Sequence, residues 1–170
     1  MNVIFIGFMG VGKGMVARAF AKKSGLMTID TDDLIESLEN EKIKNIFANF
    51  GEKYFRDLEK KIALWLENGV DNTIISTGGG FLKQKNLKKI GTVIYLESSF
   101  EAIINNLYSH PNAKKKIKKR PLLGDLKEAK KLYNQRIIEY KKISDYTLNI
   151  KHRELVDVVN ELDYLLKGLI

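Results

Sequence analysis

Apolar residues along this chain occur in short continuous runs and in longer stretches with an apolar position every three or four residues. Five short runs predict β-strands, at 3–6, 27–29, 73–76, 92–96 and 146–150. Six longer stretches predict amphipathic helices, at 15–23, 34–50, 52–67, 100–107, 126–142 and 154–166. Strands that alternate with helices are typical of a parallel sheet covered on both faces, so we predict a three-layer α/β/α fold.

Two stretches refine this prediction. In the helix at 52–67 the apolar residues repeat at helical spacing and are expected to face the core: Phe55, Leu58, Ile62, Trp65 and Leu66. Residues 108–124 show no periodicity and contain Pro111 and Pro121, which predicts a loop. No linker or internal repeat divides the chain, so we expect residues 1–170 to form a single domain.

The composition is that of an ordinary globular protein. Of 170 residues, 44% are hydrophobic and 29% are charged, which excludes a collagen-like chain and a disordered acidic tail. The absence of cysteine excludes a disulfide scaffold and catalysis by a thiol. No apolar run approaches the ~18 residues of a membrane span, and the apolar start lacks the basic flank of a signal peptide. We therefore expect a cytoplasmic protein that does not associate with membranes.

The net charge of +8 comes from one short segment. Residues 113–120 contain five lysines and Arg120. Removing these six from the 29 basic residues leaves 23 against 21 acidic residues, a net charge of +2. Such a segment attracts polyanions, but it contains no aromatic residue to stack on bases, and we expect no nucleic-acid partner.

A glycine-rich turn joins the first predicted strand to the first predicted helix. From Gly7 to Lys13 it reads GFMGVGK, the pattern of a phosphate-binding P-loop in the strand–turn–helix context that such a loop requires. Glycines allow backbone N–H groups to point at phosphate oxygens, and Lys13 would reach the β- and γ-phosphates. The alternative is a glycine-rich turn without a ligand. The residues expected to contact ATP are Gly7, Gly10, Val11, Gly12, Lys13, Gly14 and Met15.

The residue after Lys13 departs from the P-loop pattern. A serine or threonine normally follows the lysine, and its hydroxyl binds the magnesium ion of the nucleotide, whereas this chain has Gly14. Three interpretations stay open: a water molecule takes the place of the hydroxyl, Gly14 is an engineered or sequencing change, or the activity is weak.

Two carboxylates and three glycines follow the second and third predicted strands. Asp30 and Asp32 follow the second strand, at the sheet edge where open α/β folds bind ligands. Gly78, Gly79 and Gly80 follow the third strand and would let the backbone approach a small molecule closely. Taken alone, the aspartates are equally suited to cap a helix, and the glycines to form an ordinary loop.

Three arginines complete the candidate set. Arg56 lies one helical turn before Glu59, and Arg136 lies one turn before Tyr140. Arg120 ends the basic segment and begins the sequence RPLL. Taken alone, Arg56 and Arg136 are equally suited to a solvated helix face.

In combination these motifs resemble the shikimate kinase family of P-loop kinases. The matching sequences, in the family's order and near its spacing, are GFMGVGK, DTD, FRxxE, GGG, RPLL and RxxxY. The resemblance covers essentially the whole chain. It implies a nucleoside monophosphate kinase-like fold with a five-stranded parallel sheet, a substrate-binding helical segment at about 31–60 and a mobile lid at about 109–124. It also implies transfer of the γ-phosphoryl group of ATP to the 3-hydroxyl of shikimate, on the pathway to chorismate and the aromatic amino acids.

The resemblance also assigns roles on the substrate side. Asp32 would orient the reacting hydroxyl and act as its base. Two guanidinium groups would hold the carboxylate of shikimate through paired charged hydrogen bonds, and three glycines would present backbone to its ring. These substrate-binding residues are Arg56, Arg136, Gly78, Gly79 and Gly80.

On the phosphate side the resemblance implies ATP and Mg²⁺ as cofactors. Lys13 and Arg120 would neutralise charge on the transferring phosphoryl group, and with Asp32 they form the implied catalytic set. Asp30 would face the magnesium ion through water, with Ser76 as a weaker candidate ligand. Gly14 stands at the family's Ser/Thr position and offers no side-chain ligand.

Two positions depart from the family near the adenine. The helix before the lid usually carries an arginine, where residues 104–106 are Ile-Asn-Asn in this chain. The last loop often carries a proline, which is absent from residues 150–153. Arg153 is the residue we predict to stack on the base.

We expect this kinase to be a monomer. Two other functions stay open. Another small-molecule P-loop kinase, acting on gluconate or a nucleotide, would keep the phosphate loop without the acceptor motifs. A P-loop binding module that lost metal binding through Gly14 would use its basic segment to hold a nucleic acid.

Overall fold

The structure is a computed structural model of the chain and describes residues 1–109, 111–112 and 121–168. The strands are β1 (Asn2–Ile6), β2 (Met27–Asp30), β3 (Thr73–Ser76), β4 (Gly91–Glu97) and β5 (Tyr146–Asn149). The helices are α1 (Lys13–Ser24), α2 (Thr31–Glu39), α3 (Ile43–Gly69), α4 (Leu87–Ile90), α5 (Phe100–Ser109), α6 (Leu126–Ile143) and α7 (Leu155–Leu165). Short 3-10 turns span Phe81–Lys83 and Pro121–Gly124.

All five strands pair in parallel in one sheet, in the order β2-β3-β1-β4-β5. Every residue of β1 and β3 is buried, as required of strands that are covered on both faces. Helix α1 packs against β2, β3 and α7, while α4 packs against β1 and β4. The predicted α/β fold with a five-stranded parallel sheet is therefore confirmed.

The register of the sheet brings the predicted motifs together. Because the strands are parallel, their carboxyl ends meet at one edge. Ser76 at the end of β3 pairs with Asp30 at the end of β2 and with Phe5 near the end of β1. The glycine-rich turn after β1, the aspartates after β2 and the three glycines after β3 consequently lie side by side.

The helix predicted at 34–50 is wrong in its bounds. Asp30 caps α2 by accepting hydrogen bonds from the backbone N–H groups of Asp32 at 3.0 Å and Asp33 at 3.4 Å, so the helix begins at Thr31. It ends at Glu39 because Asn40 adopts a left-handed conformation, with φ 49°. The boundary between the predicted helices at 34–50 and 52–67 coincides with a kink within α3, where Gly51 has φ 80°.

Two further predictions about the helices differ from the structure. Trp65 was expected in the core but is 48% exposed, whereas Phe55 is buried as expected. Helix α4 was not predicted, because four residues are too few to reveal a helical period.

The predicted lid at 109–124 falls largely outside the described residues, and Arg120 lies wholly outside them. Within the described part of the chain, no helix combines the length and the apolar character that a membrane crossing requires.

Candidate active site

The turn after β1 places the N-terminus of α1 at the carboxyl edge of the sheet. Gly10 and Gly12 have φ 83° and 108°, left-handed conformations that glycine adopts without strain. Lys13 is only 8% exposed, and its ammonium donates hydrogen bonds to the carbonyls of Gly7 at 2.8 Å and Phe8 at 3.1 Å. The turn thus combines the partial positive charge of a helix N-terminus with a buried lysine, which suits an anionic phosphate.

Gly14 faces the two polar side chains at the ends of β2 and β3. The Ser76 hydroxyl donates a hydrogen bond to Asp30 Oδ2 at 2.8 Å. A hypothetical Cβ on Gly14 would lie 3.5 Å from Asp30 Oδ2 and 3.7 Å from Ser76 Oγ. Since the other oxygen of Asp30 caps α2, this one carboxylate serves both the helix and the site.

The donor set around Gly14 fits a magnesium ion held mainly by phosphates and water. Carboxylate and hydroxyl oxygens are suitable direct or water-mediated partners of Mg²⁺, which usually keeps several water ligands in nucleotide sites. Among the described residues no group of three or more His, Cys, Asp or Glu side chains forms a metal-binding cluster. Asp30 and Ser76 are therefore suited to hold water ligands of a nucleotide-bound ion.

The carboxylate of Asp32 has a pKa well above the usual value of an aspartate. Burial raises its pKa to about 7, and the negative charge of Asp30 adds to the rise, while Lys13 opposes it. A carboxyl group with this pKa can both ionise and accept a proton near neutral pH. Such a group is suited to act as a general base on a hydroxyl.

Each glycine after β3 lies against one predicted substrate-binding side chain. A Cβ on Gly78 would collide with the carboxylate of Asp32. A Cβ on Gly79 would lie 3.2 Å from Arg136 Nη1, and a Cβ on Gly80 would lie 2.5 Å from Arg56 Nη1. The absence of three side chains therefore makes room for one carboxylate and two guanidinium groups in the same pocket.

Two glutamates of α3 orient Arg56. Its Nη1 donates to Glu59 at 2.7 Å, and its Nε and Nη2 donate to Glu52 at 3.1 and 3.0 Å. Glu59 is 1% exposed, whereas the Glu52 side chain is 63% exposed. Burial raises the pKa of Glu59 above its usual value, although the hydrogen bond from Arg56 lowers it. The buried partner is the one that fixes the direction of the guanidinium.

Arg136 differs from Arg56 because it has no carboxylate partner among the residues that the structure describes. It is 8% exposed, and no Asp or Glu of the described residues lies within 4.0 Å of its guanidinium. A buried charge is costly unless it is paired. An anionic group of a ligand bound beside Gly79 would provide the missing partner.

Three residues that sequence analysis did not assign to the site hold its parts in place. The Thr31 hydroxyl accepts a hydrogen bond from the Gly78 backbone at 3.1 Å. The Thr77 hydroxyl donates to the carbonyl of Phe5 at 2.9 Å. The Tyr140 hydroxyl donates to the carbonyl of Gly79 at 2.7 Å. Thr31 lies in the DTD motif and Tyr140 in the RxxxY motif. These motifs were the only sign of their roles in the sequence, because the groups to which they bond belong to distant elements.

The remaining predicted nucleotide contacts lie around the phosphate loop and after β5. Met15 is 53% exposed beside Gly12, and Val11 is buried. Arg153 donates to the carbonyl of Asn149 at 3.0 Å and pairs with Glu161 at 2.7 Å. The structure thus ties Arg153 to its own loop and to α7, and its contact with adenine stays a prediction.

The fold and the site define a class of protein. A phosphate loop that opens onto α1, with a carboxylate and two arginines facing it across the sheet edge, is the arrangement of a P-loop kinase that acts on a small acceptor. The shikimate kinase family model matches residues 9–165. The chain belongs to the shikimate kinase family and is an ATP-dependent kinase.

Individual relatives agree with the family match. A shikimate kinase of Helicobacter hepaticus is 39% identical over 148 residues, which cover 87% of this chain and 86% of the relative. The structure of a shikimate kinase from Acinetobacter baumannii in complex with shikimate has a TM-score of 0.86 at 28% identity, covering 98% of this chain and 93% of that one. A gluconokinase from Sinorhizobium meliloti, with a TM-score of 0.58 at 14% identity over 99% and 94% of the two chains, shares the fold alone.

Proposed function

We propose that this chain transfers the γ-phosphoryl group of ATP to the 3-hydroxyl of shikimate, giving shikimate 3-phosphate and ADP. The observation that carries the choice of acceptor is the buried Arg136, which has no carboxylate partner among the described residues. Shikimate has one carboxylate and three hydroxyls, so it supplies both the missing anion and an acceptor oxygen. Membership of the shikimate kinase family supports the same substrate.

Substrate binding follows from the two arginines. Arg136 and Arg56 approach the glycines after β3 from α6 and α3, so a carboxylate between them receives paired charged hydrogen bonds. Glu59 keeps Arg56 directed at that point. The ring of the substrate then lies close to the backbone of Gly79 and Gly80, beside the two guanidinium groups that face these glycines.

Asp32 acts on the reacting hydroxyl. Its carboxylate accepts the proton of the 3-hydroxyl as the oxygen bonds to the γ-phosphorus, and the bond from that phosphorus to the bridging oxygen of ADP breaks. The ionised form of Asp32 is required, and with a pKa of about 7 it is well populated at neutral pH. Most of the acceleration comes from positioning and charge stabilisation, as in other phosphoryl transfers.

Charge on the transferred group is balanced from the phosphate side. Lys13 lies within the loop, and we assign it and Arg120 to the phosphoryl oxygens. Mg²⁺ bound to the nucleotide supplies further neutralisation, with Asp30 and Ser76 suited to hold its water ligands.

The finer organisation is also part of the proposal. We propose one domain over residues 1–170, a substrate-binding segment at about 31–60 and a lid at about 109–124 that excludes water when it closes. We further propose that the protein is a cytoplasmic monomer, without a nucleic-acid or membrane partner.

A coupled assay of ADP release, with and without shikimate and titrated with Mg²⁺, tests this function. Parallel reactions with gluconate and with nucleoside monophosphates provide the comparison. We expect ADP release to depend on shikimate. Turnover of gluconate without turnover of shikimate would point to another small-molecule kinase. Nucleic-acid binding that persists at moderate salt, without ATP turnover, would point to a binding module.

A further inference from the structure

The guanidinium of Arg18 lies beside the space that Gly14 leaves open. Arg18 lies four residues after Gly14 on α1, so the two share one face of the helix. Long side chains on a helix lean toward its N-terminus. A hypothetical Cβ on Gly14 would accordingly lie 3.2 Å from Arg18 Nη1, closer than it would lie to Asp30 or Ser76.

Arg18 has no partner within the part of the chain that the structure describes. Its side chain is exposed, and it makes no hydrogen bond or ion pair with any described residue. Its guanidinium therefore stands near the N-terminus of α1, next to the loop that holds Lys13, with its donors available to a ligand. A guanidinium matches pairs of phosphate oxygens through two parallel hydrogen bonds.

We propose that Arg18 contacts the phosphates of the bound nucleotide and supplies positive charge where P-loop proteins ordinarily have a hydroxyl ligand for magnesium. The inference rests on the proposed use of ATP by this site. Because Arg18 and Mg²⁺ carry like charges and would meet the same phosphate oxygens, each weakens the contribution of the other. Nucleotide binding by this chain is therefore less dependent on Mg²⁺ than binding by a variant without Arg18.

Calorimetric titration of the full chain with ATP, once in EDTA and once in saturating Mg²⁺, tests this proposal. We expect Arg18→Ala to weaken ATP binding about fivefold in EDTA and less than twofold in Mg²⁺, as suits one charged hydrogen-bonding contact at an exposed position. Lys22→Ala is the matched control, since it removes the same charge from the same helix one turn further from the loop. Equal effects of the two variants in EDTA would overturn the proposal.

A second pair of variants tests the link between Arg18 and Gly14. In Gly14→Ser the new Cβ crowds the guanidinium at 3.2 Å and shifts it slightly, and the hydroxyl becomes available to the metal, so ATP binding in EDTA weakens and the affinity for Mg²⁺ rises. Arg18→Ala should then weaken ATP binding in EDTA less in the Gly14→Ser background than in the unsubstituted chain, because the contact is already weakened. Fully additive effects on binding in EDTA would contradict the proposed contact.

The outcome separates this inference from the proposed function. Thermal unfolding of each variant identifies any loss of folded protein. Shikimate-dependent ADP release by the unsubstituted chain tests whether shikimate is the acceptor. A natural chain that binds ATP with the expected Arg18 effects, yet leaves shikimate unchanged, would refute the proposed acceptor and support the role of Arg18.

Discussion

The phosphate loop and the acceptor pocket meet at the same edge of the sheet, but they are built in different ways. The phosphate loop is one continuous stretch, residues 7–15, and it presents mainly backbone groups. The acceptor pocket takes Asp32 from α2, Arg56 from α3 and Arg136 from α6, and it assembles them against three glycines. The loop thus depends on local backbone conformation, whereas the pocket depends on packing between distant elements.

Because the phosphate loop and the acceptor pocket are built from different elements, each can be disturbed without the other. A change in the acceptor pocket should alter shikimate binding or the chemical step while ATP binding persists. Any acceptor variant that weakens ATP and shikimate binding equally would break the distinction.

The largest effect is expected for Asp32→Asn. The variant cannot accept the proton of the hydroxyl, so we expect kcat to fall about 10³-fold, within the usual range for loss of a general base. The affinity for ATP, measured by titration, should stay within about twofold of that of the unsubstituted chain, because we assign no phosphate contact to Asp32. An equal fall in kcat and ATP affinity would contradict the assigned role.

The pH profile of the natural chain sharpens the same prediction. Asp32 must be ionised to act as a base, and its pKa is about 7 in the free protein. We therefore expect kcat/KM for shikimate to rise with pH through about 7 and then to level off. A profile that is flat across this range would show that Asp32 does not act as the base.

The next largest effect is expected for Arg136→Met. Removing the charge that we pair with the substrate carboxylate should raise KM for shikimate about 100-fold, as is typical when a buried charged hydrogen bond is broken. The free energy of unfolding should fall only modestly, because no carboxylate of the described residues forms an ion pair with Arg136, whose charge acts on the buried Glu59 from a longer distance. Lys131→Met, at an exposed position of the same helix, is the control and should leave the KM values for shikimate and for ATP unchanged.

A smaller effect is expected for Gly80→Ala. The methyl group would lie 2.5 Å from Arg56 Nη1 and would push the guanidinium out of the pocket. Gly80 has φ −97°, so alanine meets no backbone strain and the effect reports the collision itself. We expect KM for shikimate to rise about tenfold. Gly69→Ala, where a Cβ would make only ordinary contact at 3.5 Å, should leave KM unchanged.

The smallest effect separates the two glutamates that bind Arg56. We expect Glu59→Gln to raise KM for shikimate about fivefold, because its buried carboxylate fixes the guanidinium. Glu52→Gln should change KM by less than about twofold, since an exposed ion pair contributes little. Equal effects in steady-state kinetics would show that burial of Glu59 has no part in orienting Arg56.

The secondary structure could largely be predicted, and the errors have local causes. All five strands lie within one or two residues of their predicted bounds. The predicted helix at 34–50 missed the left-handed Asn40, because asparagine also occurs freely within and beside helices and its conformation is not marked in the sequence. Trp65 has the helical spacing of the core residues but is exposed to solvent. Spacing shows which residues share a face of a helix, but it does not show which parts of that face another element covers.

The site could be predicted in part. The glycines and Lys13 were recognisable because a P-loop is a contiguous pattern with a local physical reason. The positioning roles of Thr31, Thr77 and Tyr140 were not recognisable, because each hydroxyl bonds to a backbone group of another element.

The order of strands and helices, the phosphate loop, the missing hydroxyl at Gly14 and the family could be read from the amino-acid sequence, because these are properties of neighbouring residues. Three-dimensional packing was needed to show that Arg136 is buried with no carboxylate partner among the described residues, that each of three glycines lies against one predicted substrate-binding side chain, and that Arg18 lies beside Gly14. Burial, pairing and close approach depend on which elements the parallel sheet brings to a common edge. That juxtaposition brings motifs dispersed along the chain together into one site, with two arginines and the carboxylate that we propose as the proton acceptor.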